Sequence, residues 1–303
     1  MGELALRRTG RIVRGLAPLV FAAVLLSRVD MRVVGARLAR LDVRFAAVFL
    51  VLSVLLSTAC AWRWSFTAAR LGVALPLPRA VVDYYLSTFL NQVLPVGIAG
   101  DVVRAARHRR RARVSWGPPV RAVILERFSG TIALALVVAA SSLGWLARGN
   151  GAFVVVLVSI AAIVGLTGWV LARRSQAPRW IAQLVADARA ALLDRGALGI
   201  QLAVSLASVT LLLVMFACAA AAVGVPLGAA ATFRLVPLVL AATTIPWAFA
   251  GWGARELSAA ALFGLAGLEP DAGAAASVAF GLLSLVAAAP GGIVLLLPQR
   301  DPG

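Results

Sequence analysis

The stretch from Asn91 to Arg104, NQVLPVGIAGDVVR, sets an amide, a proline, two glycines, a carboxylate and a guanidinium inside a strongly apolar chain. Polar and charged groups left unpaired in hydrocarbon each cost roughly several kcal/mol, so such interruptions mark places where protein or trapped water satisfies them, and often a substrate path. Two shorter blocks share this character: Arg121 to Phe128, RAVILERF, and Gly251 to Glu256, GWGARE. Their chemistry is anion handling. Arginine offers a planar fork that grips two phosphate oxygens, which makes Arg104 and Arg255 the candidate phosphate holders. Asp101, Glu126 and Glu256 are placed to balance these charges and to carry protons, while Asn91, Pro95, Gly97 and Gly100 shape the first interruption and Gly251 and Gly253 the second. The two glycines leave backbone N–H groups open at a half-helix N-terminus, whose positive end favours an anion. Blander readings stand beside these. Arg104 is equally the first member of a basic anchor, Asp101 an N-cap, and Glu126 one half of a structural ion pair with an Arg.

The elements that must position these residues are membrane helices. The chain has 303 residues, 62% hydrophobic and only 14% charged, with a mean hydropathy of +0.95. A soluble core of this size does not hide that much apolar surface, so the fold class is all-α, a polytopic integral membrane bundle. The formal net charge of +17 is spread between apolar spans and forms no basic domain, which points to anionic lipid headgroups and away from nucleic acid. Every one of the 29 basic residues is Arg, and a Walker A loop needs Lys, so no such ATP site is expected. Cys60 and Cys218 lie in apolar runs as small hydrophobes, and no disulfide, metal site or cofactor is implied. His108, in an arginine run, reads as a solvated loop residue. The apolar run Gly15 to Ser27 reads as a retained first helix.

Charge-free intervals locate the spans. Arg44 to Arg63, Arg127 to Arg148, Arg148 to Arg173 and Asp271 to Arg300 each bracket one helix. Arg195 to Arg234 is long enough for two, divided between Val223 and Gly228. Ala80 to Arg104 and Thr232 to Leu268 are irregular, and with about six full spans they are expected as two re-entrant, broken helix pairs. Arg-rich loops at Arg104 to Arg113 and Arg173 to Arg195 are assigned to the cytoplasm, so the two pairs enter from opposite faces. Arg28 to Arg44 carries five Arg on what should be the outer side and is expected as an interfacial amphipathic helix. Most of the eight tryptophans fall near predicted helix ends, as an interfacial belt does.

Taken together, in this order and spacing, the three blocks resemble a flippase-like integral membrane family that includes the transmembrane region of lysylphosphatidylglycerol synthase. The family's N-x-x-x-P-x-x-x-G-[DE]-x-x-R pattern falls on Asn91, Pro95, Gly100, Asp101 and Arg104. Its E-R falls on Glu126 and Arg127, its G-x-G-x-R-E on Gly251, Gly253, Arg255 and Glu256, and its proline-glycine element on Pro290, Gly291 and Gly292. The resemblance covers nearly the whole chain. It implies a single flippase-like domain over residues 1–303, without the synthase's soluble aminoacyltransferase domain, and a transporter instead of an enzyme. The implied cargo is an anionic phospholipid or a polyprenyl-linked lipid moved between leaflets of a prokaryotic inner membrane. Headgroup, direction, energy coupling and oligomeric state stay open. The alternatives are a membrane enzyme of lipid-linked glycan or headgroup modification, and an accessory subunit that recruits a separate lipid-modifying enzyme.

Overall fold

The structure, a computed structural model, describes residues 29–94, 97–146, 179–244 and 252–296. Among these residues the regular structure is helical, in ten α-helices. They are α1 (Met31–Ala39), α2 (Val43–Arg70), α3 (Leu77–Val93), α4 (Ala99–Ala112), α5 (Gly117–Leu146), α6 (Arg179–Ala188), α7 (Arg195–Ala222), α8 (Ala229–Ala241), α9 (Ala254–Leu265) and α10 (Pro270–Leu296). A π-helical turn, Arg189–Leu193, continues α6, and a 3-10 turn, Ala242–Thr244, continues α8. α2, α5, α7 and α10 are long and apolar enough to cross a bilayer. The expected helices at Gly15 to Ser27 and at Arg148 to Arg173 lie outside the described residues.

Local sequence explains most boundaries. Prolines stand in the first turns of α3 (Pro78), α5 (Pro118, Pro119) and α10 (Pro270), where their missing N–H costs nothing. Asp30 caps α1, its carboxylate accepting from the Arg32 N–H at 2.8 Å, so the Arg-rich segment that precedes α2 is helical as expected. α7 ends and α8 begins across 223–228, where the sequence placed the division. Three expected boundaries are wrong. Arg63, Arg127 and Arg234 were taken as span limits, yet α2 runs on to Arg70, α5 begins at Gly117 and α8 continues through Arg234; the Arg63 charge is neutralised inside the protein.

Of the described residues, those up to Ser53, within Leu90–Gly97 and within Leu213–Ala288 form one compact unit, and the remainder form a second. In the second unit, α3 and α4 return alongside each other. Gly100 packs against the Ser87 backbone, Arg104 against Tyr84, and Arg107 and Arg111 pair with Asp83, so numbering rises along α4 as it falls along α3. A Cβ on Gly100 would sit 2.0 Å from the Ser87 carbonyl oxygen, which makes glycine a condition of this antiparallel approach. Gly291 of α10 makes the same kind of contact on the Tyr85 carbonyl, at 2.1 Å for an added Cβ. α5 shows how such a unit meets lipid: Val120, Ile124, Phe128, Ile132 and Leu136 form an exposed stripe at every fourth residue, and Ala122, Leu125, Glu126, Ser129 and Ala133 form the buried face. In the first unit, α8 and α9 pack on each other, and α9 lies against α10 where Gly273 meets the Ala259 carbonyl. The first irregular segment is therefore helix, break, helix, and the second has α8 and α9 on either side of residues outside the described set.

Candidate functional site

Among the described residues, each unit buries a cluster of arginines and carboxylates built on the residues singled out in the sequence. In the second unit the centre is Glu126, on the inward face of α5 and fully enclosed. Its two oxygens take different arginines: Oε1 accepts from Arg63 of α2 at 2.6 Å and Oε2 from Arg104 of α4 at 2.7 Å. Arg104 also donates through Nε to Asp101 at 3.0 Å, and Asp101 accepts from Arg127 at 3.0 Å. Arg63 turns its remaining fork to Ser205 of α7 at 3.1 Å, and Gly130 leaves the space in which that guanidinium lies. The Arg104 guanidinium stacks on Trp64 and Tyr84, 4.8 and 5.1 Å from the ring centroids. Beside it sits an apolar core of Ala61, Trp64, Ala68, Ala105, Ala122 and Val123.

The expected Arg partner of Glu126 is present twice. Asp101, Arg104, Glu126 and Arg127, read from two separate blocks, come together; Asp101 stands in the first turn of α4, whose N-cap is Ile98, so it is not the cap. Arg104 is 0% exposed and already holds two carboxylates. His108 is not a loop residue. The arginine run is helical, so position 108 shares the inward face of Arg104 one turn on, and its ring packs edge-on against Trp64 at 5.7 Å. Trp64 is likewise fully buried and no part of an interfacial belt, whereas Trp116 and Trp180 are exposed.

In the first unit, Gly253, Arg255 and Glu256 gather at the start of α9. Gly253, at φ +85, takes a conformation that only glycine adopts freely, and its N–H donates to Glu256 at 2.6 Å. That N–H is thus not open to a ligand, as the sequence reading had it, because the helix supplies its own carboxylate as cap. Arg255 donates through Nη2 to Glu256 at 2.7 Å and through Nε to Ser277 of α10 at 3.0 Å, between the rings of Trp252 and Phe280. Gly281 makes room for this: a Cβ there would lie 2.4 Å from Arg255 Nη2. Asn91 closes the last turn of α3, next to Gln92, which donates to the Ser284 carbonyl at 3.0 Å, and Gly97 adopts φ +63 in the break. Pro95 and Gly251 lie outside the described residues.

Sequence reading missed Arg63, Trp64, Ser205 and Gly130 in one cluster and Ser277 and Gly281 in the other. The signal for Arg63 was a charge within an apolar run that continues past it.

The fold and these clusters define a multi-pass, all-α membrane protein with arginine–carboxylate networks buried among its helices. The sequence matches the family described as Lysylphosphatidylglycerol synthase TM region over residues 11–291, and the chain belongs to that family. No curated protein matches it.

Proposed function

We propose that the protein translocates a phosphate-containing lipid between membrane leaflets, with a guanidinium in each unit handling the headgroup. The observation that carries this reading is the burial of charge at the two interrupted helix pairs. Arg104 and Arg255 sit beside helix breaks, each on an aromatic face and each balanced by carboxylates. A headgroup crossing hydrocarbon needs a polar lining, and discontinuous helices are how membrane transporters supply one. Carboxylates that hold the arginines in the resting state are exchangeable for phosphate oxygens of equal charge and geometry. The cytoplasmic assignment of the Arg-rich stretches, and location in a prokaryotic inner membrane, belong to the same reading.

The test is purified protein in vesicles with headgroup-labelled lipid in one leaflet and an impermeant quencher outside. Translocation that exceeds empty vesicles and falls in Arg255→Ala supports the reading. Vesicles that stay at the empty-vesicle rate with wild-type protein refute transport by this chain alone and favour the accessory role.

A further inference from the structure

Three spans of the second unit end at one level. α2 closes at Arg70, α5 opens at Gly117 and α7 opens at Arg195, and α6 with its π turn is tied to these ends: Asp187 accepts from Arg121, Asp194 accepts from Arg70, and Leu184 and Ala188 pack on a cluster of Leu125, Ala191 and Leu192. A helix of 10 residues cannot cross hydrocarbon, so α6 lies where the spans stop. It is amphipathic yet buries none of its residues, and Trp180, with Leu193 in the π turn, is left 63% and 62% exposed respectively. Charge is left over at the same level. Arg109, Arg110 and Arg113 at the end of α4, which the turn 113–116 joins to α5, and Arg179, Arg189 and Arg195 on and beside α6 make no ion pair among the described residues. The neighbouring carboxylates are taken, Asp83 by Arg107 and Arg111, Asp187 by Arg121 and Asp194 by Arg70. Arg109 lies over Trp116 at 4.6 Å, and that indole is itself 47% exposed. Water serves the arginines and leaves the indoles and the leucine wet, whereas hydrocarbon does the reverse. The boundary between headgroups and acyl chains in an anionic leaflet serves both.

We infer that α6, its π turn and the end of α4 form a docking surface for anionic phospholipid, with α6 in the interfacial plane, Trp180 and Leu193 at the acyl boundary and the unpaired arginines on headgroup phosphates. The surface goes beyond the transport reading, since the lipids it holds stay in their leaflet whether or not another lipid crosses.

The test is the emission of Trp180, taken as the signal lost in Trp180→Phe, with the full chain reconstituted in phosphatidylcholine vesicles. A nitroxide placed near the acyl carbonyls, carried in turn on phosphatidylcholine and on phosphatidylglycerol at equal fraction, should quench it in both cases. Quenching by the phosphatidylglycerol probe should be the stronger, with a local enrichment of about fivefold for each arginine in direct contact. That excess should fall in high salt and vanish in a variant carrying Arg179→Gln, Arg189→Gln and Arg195→Gln, while quenching by the phosphatidylcholine probe stays. These arginines are exposed and unpaired, so the variant should unfold at the wild-type temperature; Arg110→Gln with Arg113→Gln, on α4, should remove part of the same excess without touching α6. Equal quenching by the two probes in wild-type protein, or a full excess in both variants, overturns the anionic surface. Emission that aqueous acrylamide quenches and neither lipid probe does overturns it too, and leaves the arginines facing an acidic protein. None of these outcomes depends on whether the vesicle assay shows transport.

Discussion

The Glu126 cluster and the Arg255 cluster use the same residue types to different ends. Glu126 is a shared acceptor for arginines from α2 and α4, and through Arg63 the network reaches α7, so it ties several helices by charge. Arg255 and Glu256 are sequence neighbours at the head of a single helix, and they meet α10 through the Ser277 hydroxyl and the Phe280 ring, with no shared charge. The first arrangement makes charge part of the tertiary fold. The second holds a guanidinium ready on a local platform, which makes it the cleaner place to separate function from stability.

The largest expected effect follows from breaking the shared acceptor. Glu126→Gln leaves Arg63 and Arg104 without their carboxylate, and removing one partner of a buried pair costs about 3–5 kcal/mol. Denaturant or thermal unfolding in detergent should show this as a large loss. A variant as stable as wild type would mean that the arginines find other acceptors and that the network does not hold the helices.

Arg255→Ala should cost less, about 1–3 kcal/mol, because Glu256 keeps the Gly253 N–H and the Ser277 hydroxyl as donors. Its effect on translocation should nonetheless exceed that of Arg255→Lys, which keeps the charge but loses the two-oxygen fork and should slow transport about tenfold. Equal unfolding losses for Glu126→Gln and Arg255→Ala would erase the distinction between shared and local charge. Normal transport by Arg255→Ala would remove this residue from the mechanism.

Glycines sharpen the comparison at the next scale. Gly100→Ala drives a Cβ into the Ser87 carbonyl, which is backbone and cannot step aside, so about 1–3 kcal/mol of packing should be lost. Gly281→Ala meets first the Arg255 Nη2 atom, the far end of a flexible side chain, and then the Trp252 ring. It should lower transport more than stability, measured on one preparation by vesicle assay and by unfolding. The reverse ranking would show that the α3–α4 approach is loose and the Arg255 platform rigid.

What was legible in the sequence follows the same division. Interruptions at Asn91 to Arg104 and Gly251 to Glu256 were visible because glycine, proline and charge contrast with apolar surroundings; the first separates α3 from α4, and the second ends at the start of α9. Glu126 announced its need for a partner in the same way. Arg63 stayed hidden because a charge in an apolar run reads as a span boundary until its neutralising group on another helix is known. His108 was misread because an arginine run looks solvated on every side, whereas a helix turns every fourth residue to one face. Gly130 and Gly281 carry no local signal at all, since what they make room for comes from elsewhere in the chain.

The smallest predicted effect lies away from both clusters, at the turn that follows α6. Arg70 at the end of α2 donates to Asp194 at 2.5 Å and to the Ala190 carbonyl at 2.9 Å, and with the Arg121–Asp187 pair it straps the amphipathic α6 to the spans. The hydrogen bond from Arg70 holds the Asp194 carboxyl below its ordinary value of 3.8. A depressed folded-state value means that the contribution is fully present above 3.8 and is lost as pH falls through the lower, folded value. Asp194→Asn removes the titration. Its unfolding midpoint should lie slightly below wild type at neutral pH, with the gap closing as pH drops below about 4 and shrinking in high salt, because the carboxylate is exposed and screened. A gap of constant size across that range would show that Asp194 acts as a hydrogen-bond acceptor for the turn and that its charge adds nothing.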